Sequence, residues 1–214
     1  MNISFLGCPG SGKSTQARII SDKLGMARFS PGDIFRSEVM AKTPLGQEFY
    51  DYISTGRLVP DWLMLRLLKE KMVNEKRGIV FDGFPRTHEQ VEALDAWLAS
   101  RSGFLNGVIF MNMPDAEAAA RVKGRSVCTR CGMTYDTGID VSGQVFQCGT
   151  CSGALARRED DQPEILKKRI MVYGDQTEPL LSYYRGNGVL LDINAKQPKR
   201  DVTIQIAMAL KSVV

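Results

Sequence analysis

Residues Gly7-Cys8-Pro9-Gly10-Ser11-Gly12-Lys13-Ser14 fit G-x-x-x-x-G-K-[ST] in full. Glycines let successive backbone N–H groups crowd around phosphate oxygens, and a helix N-terminus behind the loop adds a favourable dipole. Lys13 is placed to reach the β- and γ-phosphates of a nucleoside triphosphate, and the Ser14 hydroxyl to join a Mg²⁺ shell. An acidic group suits the same ion: Asp82 follows the apolar run Ile79-Val80-Phe81, which delivers it to the end of a buried strand. A separate chemistry is written in Cys128-x2-Cys131-x16-Cys148-x2-Cys151. Two knuckles of this spacing can converge on one tetrahedral Zn²⁺, and four thiolates close the site, as structural zinc requires. In a secreted chain the same cysteines would read as disulfides; in a reducing compartment they read as metal ligands. Cys8 stands apart and suits packing within the phosphate loop. His88, the only histidine, suits a solvated helix start.

These residues need elements to hold them. Asn2 to Leu6 reads as a strand running into the glycine loop, and Ala17, Ile19, Ile20 and Leu24 give a helix stopped by Gly25. Residues 30–59 read as mostly helical, interrupted at Pro44 and Gly56. A helix is expected over 61–76, a strand over 79–81 and a helix over 87–100. A strand over 107–111 is followed by a helix opened by Pro114. The alternation continues with a helix over 165–184, a strand over 189–191 and a helix over 200–211. Such alternation implies a parallel sheet with helices on both faces. Residues 127–155 break the pattern, being rich in Gly, Ser, Thr and Cys, and read as a separate insert.

Composition narrows the class. The chain has 214 residues, 43% hydrophobic and 24% charged, with a net charge of +4. That is ordinary globular usage with room for one sizeable core and a small appended module. The mild basic excess suits an anionic small molecule and is too weak to argue for nucleic acid alone. No apolar run reaches the ~18 residues of a membrane span, and the N-terminus lacks the basic flank of a secretory signal, so a cytoplasmic protein is expected.

Asp82-Gly83-Phe84-Pro85-Arg86-Thr87 resembles the signature of adenylate kinases, and further segments agree with that family in order. They are Ser30-Pro31-Gly32-Asp33 with Arg36, Gly56-Arg57-Leu58-Val59, Gln90, Arg121 with Gly124-Arg125, Arg158 with Asp160-Asp161, and Arg169. The resemblance spans the whole chain, and the cysteine insert matches the zinc-containing long lid of some bacterial members. It implies an α/β P-loop parallel sheet with helices on both faces, a helical monophosphate-binding insert and a small zinc-binding lid. By the same resemblance, the core comprises residues 1–29, 60–123 and 162–214, the monophosphate arm 30–59 and the lid 124–161.

The implied reaction is Mg²⁺-dependent ATP + AMP ⇌ 2 ADP by a monomer, with ATP, AMP and ADP as ligands and neither nucleic acid nor membrane as partner. The ATP side would comprise Gly10, Ser11, Gly12, Lys13, Ser14, Thr15, Arg121, Arg125 and Gln197, with Thr134 and Tyr135 against the base. On the AMP side, Arg36 would hold the phosphate and Pro31, Arg57, Leu58 and Val59 would line the base pocket. Gly83, Phe84, Pro85 and Arg86 continue that site, and the Gln90 amide would read the adenine edge with a donor and an acceptor. Arg158 and Arg169 would reach phosphates of both nucleotides. Lys13, Arg86, Arg125, Arg158 and Arg169 form the catalytic set, since phosphoryl transfer needs positioning and positive charge more than covalent chemistry. Ser14 and Asp82 would serve the Mg²⁺ shell, and Cys128, Cys131, Cys148 and Cys151 would hold Zn²⁺.

Two positions depart from the family. Ser14 stands where glycine is usual, implying a modest change in metal geometry. Pro31 stands where threonine is usual, which removes a hydroxyl and an N–H beside the base and leaves a UMP/CMP kinase as the alternative. From another class, a zinc-ribbon P-loop ATPase acting on nucleic acid would want basic residues on the ribbon. Between Cys131 and Cys148 there are none, only Tyr135, Phe146, Asp136 and Asp140 among aromatic and acidic side chains.

Overall fold

The computed structural model describes residues 1–136 and 146–213, so Asp140 lies outside the described residues. A parallel five-stranded sheet forms the centre, ordered β2-β3-β1-β4-β8. Its strands are β1 (Asn2–Leu6), β2 (Ala27–Phe29), β3 (Ile79–Asp82), β4 (Gly107–Asn112) and β8 (Leu190–Asn194). Register pairs Phe5 with Asp82 and Ile109, so the ends of β1 and β3 bring the glycine loop and Asp82 side by side.

Alternation along the strands fills two apolar layers. One face sends Leu6, Phe29, Phe81 and Val108 against α4 (Asp61–Met72) and α5 (His88–Ala99), through Leu63, Leu67 and Leu94. The other sends Ile3, Phe5, Val80 and Ile109 against α1 (Lys13–Leu24) and α9 (Lys199–Leu210), through Ala17, Ile20, Val202 and Ile206. Every residue of β3 is buried, as the unbroken apolar run requires.

Residues 30–59 contain α2 (Pro31–Met40) and α3 (Pro44–Thr55). Proline opens each helix, where its missing N–H is harmless, and the Thr43 hydroxyl accepts from Gly46 N at 3.0 Å to cap α3. After α6 (Asp115–Lys123) comes a three-stranded antiparallel sheet of β5 (Arg125–Cys128), β6 (Thr134–Asp136) and β7 (Leu155–Ala156), ordered β6-β5-β7. It is the aperiodic segment of the sequence. A 3₁₀ turn (Glu159–Asp161) then leads to α7 (Pro163–Val172), a π-helical turn (Tyr173–Thr177) and α8 (Leu180–Gly186).

Three elements differ from expectation. β2 was not foreseen: three residues are too few to show a period, and pairing with β3 makes the strand. The helix from Asp61 stops at Met72 rather than near Lys76, because the chain must turn back into β3; Glu75 holds the turn by accepting from Arg77 N at 2.9 Å. The single helix expected over 165–184 is interrupted by the π-turn, which swings Thr177 Oγ1 to within 3.1 Å of the Arg86 carbonyl. Among the described residues no helix is long and apolar enough to cross a membrane.

Candidate active site

The glycine loop needs the conformations that glycine supplies. Gly10 and Gly12 have φ of +95° and +89°, in the region side chains avoid. Gly10 also sits directly on α6: a Cβ there would lie 2.2 Å from the Ala118 carbonyl oxygen. Ser11 N donates to the Cys8 carbonyl at 3.1 Å to close the turn, while the buried Ser11 hydroxyl has no partner among the described residues. Lys13 Nζ donates to the Cys8 carbonyl at 3.1 Å. Burial, reinforced by the positive charge of Arg86, holds its pKa down at about 7, as expected of a cation awaiting an anion. Cys8 packs as expected, buried with Sγ 3.7 Å from the Met113 carbonyl oxygen.

Asp82 is buried, and an unpaired carboxylate there would cost several kcal/mol. Three donors meet it: Ser14 Oγ at 2.9 Å on Oδ1, and Arg28 Nη1 at 2.9 Å and Ser30 Oγ at 3.1 Å on Oδ2. Hydroxyl and carboxylate oxygens converging behind a phosphate loop are the donor set that suits Mg²⁺. Arg28 also donates through Nη2 to Asp33 Oδ2 at 2.6 Å. Burial raises the Asp33 carboxyl, but Arg36 and Arg28 outweigh it and hold the group at about 2.

Two cavities open from this centre. The first is lined by the phosphate loop from Gly10 to Thr15, together with Arg121, Arg125, Thr134, Tyr135, Arg158 and Gln197. The second is lined by Pro31, Arg36, Arg57, Leu58, Val59, Gly83, Arg86, Gln90 and Arg169. Lys13 belongs to both walls.

Some expected residues lie elsewhere. Phe84 is fully buried in the core, edge-on to Phe29 at 5.6 Å, with its carbonyl accepting from Ser4 Oγ at 2.6 Å. Neither it nor Pro85 lines the second cavity, and Arg158 lines the first alone. Gln90 lines the second cavity, but both ends of its amide have internal partners. Oε1 accepts from Arg86 N at 2.8 Å, and Nε2 donates to Asp61 Oδ1 at 2.7 Å.

The arginines are held by two adjacent acids. Arg158 forks onto Asp160 at 3.0 and 2.8 Å. Arg169 Nη1 lies 2.9 Å from Asp160 Oδ2 and 3.3 Å from Asp161 Oδ1. Arg125 Nε donates to Asp161 Oδ2 at 2.7 Å, and Arg36 Nη1 stands 4.0 Å from Asp160 Oδ2. Burial opposes ionisation of Asp160, yet the guanidiniums of Arg158, Arg169 and Arg36 drive its pKa far below the usual carboxylate range.

In the small sheet, the four cysteine Sγ atoms all lie within 4.8 Å of one another. Cys128–Cys151 and Cys131–Cys148 are each 3.5 Å apart, near the ~3.8 Å edge that a tetrahedron of ~2.3 Å Zn–S bonds demands. Backbone N–H groups of Arg130 and Cys131 point at Cys128 Sγ, each at 3.4 Å. The Tyr135 hydroxyl, 3.1 Å from Cys148 Sγ, holds that thiol down at about 5. Gly153 leaves the necessary space, since a Cβ there would lie 2.9 Å from Cys128 Sγ. The residues fit a zinc ion.

The adenylate kinase family profile matches residues 5–189. An adenylate kinase of Clostridium tetani (strain Massachusetts / E88) is 39% identical over 215 residues, covering 100% of both chains. One from Moorella thermoacetica (strain ATCC 39073 / JCM 9320) is 41% identical over 212 residues, 98% of each chain. The chain belongs to the adenylate kinase family.

Membership makes it a nucleoside monophosphate kinase, and the cysteine cluster supports the zinc-containing, long-lid type. Within that family frame, sequence reasoning left several contributors without a role. Asp160 and Asp161 organise four arginines, and the signal available was an acidic pair between Arg158 and Arg169. Arg28, on a strand too short to foresee, and Asp61, far in sequence from Gln90, gave no local signal. The aromatic wall of the second cavity, Phe35 and Tyr52, reads in sequence as ordinary helix core.

Proposed function

We propose that this chain transfers the γ-phosphoryl group of ATP to AMP, giving two ADP, and runs the reverse reaction. One observation carries the reading: Lys13 stands in the wall shared by two cavities, one rimmed by the phosphate loop and the cysteine-bearing sheet, the other by residues 30–59. Two nucleotides bound there would meet end to end at its ammonium group.

Residues 1–29, 60–123 and 162–214 form the core in this reading, 30–59 the AMP arm and 124–161 a lid. Gly10 to Thr15 wrap the ATP phosphates, and the unpartnered Ser11 hydroxyl supplies one more donor. Arg121, Thr134, Tyr135 and Gln197 hold the rest of ATP. Arg36 takes the AMP phosphate, with Pro31, the 57–59 segment, Gly83 and Gln90 around the base. Lys13, Arg86, Arg125, Arg158 and Arg169 surround the transferring group, where fixed positive charge offsets the charge developing on its oxygens. Asp160 and Asp161 keep those arginines from scattering before substrate arrives.

Ser14 and Asp82 would hold Mg²⁺, which when bound neutralises phosphate charge. The cysteines would hold Zn²⁺, giving a fixed shape to a lid whose buried cluster, among the described residues, is Cys128, Cys148 and Leu155. Such a lid swings as one piece and excludes water from the phosphoryl group; adenylate kinase lid motion is a standard example of such closure. The protein acts as a cytoplasmic monomer in this reading.

ATP consumption measured against AMP, UMP, CMP and GMP tests the assignment. AMP is expected to be preferred over UMP and CMP by at least ~10-fold in kcat/KM. An equal or inverted ratio would replace adenylate with pyrimidine specificity.

A further inference from the structure

Arg28 has no part in the transfer just described, yet it occupies the place where a metal would be felt most. Its side chain is 19% exposed and its fork is divided, with Nη1 2.9 Å from Asp82 Oδ2 and Nη2 2.6 Å from Asp33 Oδ2. The other Asp82 oxygen takes the Ser14 hydroxyl at 2.9 Å. The carboxylate suited to a divalent cation is therefore already paired with a cation, one that it shares with Asp33. A second cation at the same carboxylate is repelled by the first, and a site this enclosed provides little solvent to screen them. Asp33 gives the guanidinium somewhere else to stay. It lies at the start of α2, pairs with Arg36 through Oδ1, and already receives Arg28 at 2.6 Å, closer than Asp82 does at 2.9 Å.

We propose that Arg28 is a positioning residue that acts as resident counter-ion to Asp82 and yields that carboxylate to the incoming divalent cation while keeping Asp33. It thereby sets how much Mg²⁺ the enzyme requires, and it ties arrival of the metal to the charge balance of the AMP arm. The inference rests on the proposed transfer reaction only in taking Ser14 and Asp82 as the metal-facing pair. A plain strut between β2 and β3 would hold the fold without affecting metal affinity, so the two roles separate experimentally.

Mn²⁺, a paramagnetic substitute for Mg²⁺, is titrated into the purified protein by electron paramagnetic resonance, with and without a non-hydrolysable ATP analogue. Arg28→Gln is expected to bind Mn²⁺ at least ~5-fold more tightly than the parent in both conditions, since one repelling charge is gone. Arg28→Lys, which keeps the charge, should stay nearer the parent than the glutamine variant does. The Mg²⁺ concentration for half-maximal transfer should fall in the glutamine variant alone. Unchanged or weaker Mn²⁺ binding by folded Arg28→Gln overturns the proposal, whatever happens to its melting temperature. Should that variant not fold, the unmutated protein decides. The Arg28 Nε–Hε resonance must shift when Mg²⁺ is added to the analogue complex, and a static resonance overturns the idea. Failure of ATP–AMP turnover in the parent protein would instead count against the transfer reading and leave the Mn²⁺ comparison standing.

Discussion

Replacing Gln90 with leucine tests base reading and buried pairing together, and the two effects can be separated. Gln90 is fully buried. Internal bonds take one donor from Nε2 and one lone pair from Oε1, which leaves one N–H and one lone pair to face an adenine edge. Leucine removes all four possibilities. Asp61 Oδ1 keeps the Thr87 hydroxyl at 3.1 Å, so the group stranded is the Arg86 N–H. One buried unpaired donor costs ~1–3 kcal/mol. At ~2–4 °C per kcal/mol for a chain of this size, the nucleotide-free protein should melt ~4–8 °C lower for a ~2 kcal/mol loss. Losing both base-directed bonds removes about 2 kcal/mol or more from AMP binding in the transition state, or ~30-fold or more in kcat/KM. UMP and CMP use should change by less than ~3-fold, because neither depends on that pair. Thermal melts and the ATP-coupled assay on one preparation give both readings. A folded variant that retains AMP use within ~3-fold of the parent refutes the base-reading role. An unchanged melting temperature refutes the pairing of Arg86 N with the amide.

Lys13→Ala should keep the fold yet lose on the order of 10³-fold or more in kcat/KM, since the charge between the two cavities disappears; near-normal turnover in the folded variant defeats the mechanism. Because the Lys13 pKa is depressed to about 7 in the free protein, its protonated fraction falls as pH rises through that value. ATP binding at pH 8 should therefore take up close to one proton and at pH 6 almost none, which calorimetry in buffers of differing ionisation enthalpy will show. Metal analysis should find one zinc per chain, and Cys128→Ser should release it and lower the melting temperature with a milder loss of activity. Absence of bound metal in the purified parent protein would end that reading.

The phosphate loop and the cysteine knuckles are legible in the sequence because their chemistry is local. Consecutive glycines make the loop, and fixed spacings bring sulfurs to one point. The central sheet is nearly as plain, since the middles of β1, β3 and β4 are buried on both faces and so are mostly apolar runs, Ile79-Val80-Phe81 being the clearest. What sequence hides is pairing across distance. Asp61 and Gln90 lie 29 residues apart, and nothing near either one says that the glutamine amide is already engaged. Arg28 becomes the partner of Asp82 only because β2 adds to the edge of β3, a consequence of packing rather than of its three-residue pattern. Phe84 and Pro85 show the converse: a signature run marks them as cavity wall, while the fold places the Phe84 ring in the core.

The absence of a side chain at Gly10 reaches beyond the phosphates. Its missing Cβ would stand 2.2 Å from the Ala118 carbonyl and 2.9 Å from Val122 Cγ2, so the loop lies on α6 with no spare thickness. α6 ends at Lys123 and β5 begins at Arg125, which makes this helix the root from which the cysteine-bearing sheet hangs. The loop is thus a bearing surface, and α6 is the shaft that rests against it. A methyl group inserted there would act as a wedge under the shaft, tilting everything mounted beyond residue 124 before it touched a nucleotide.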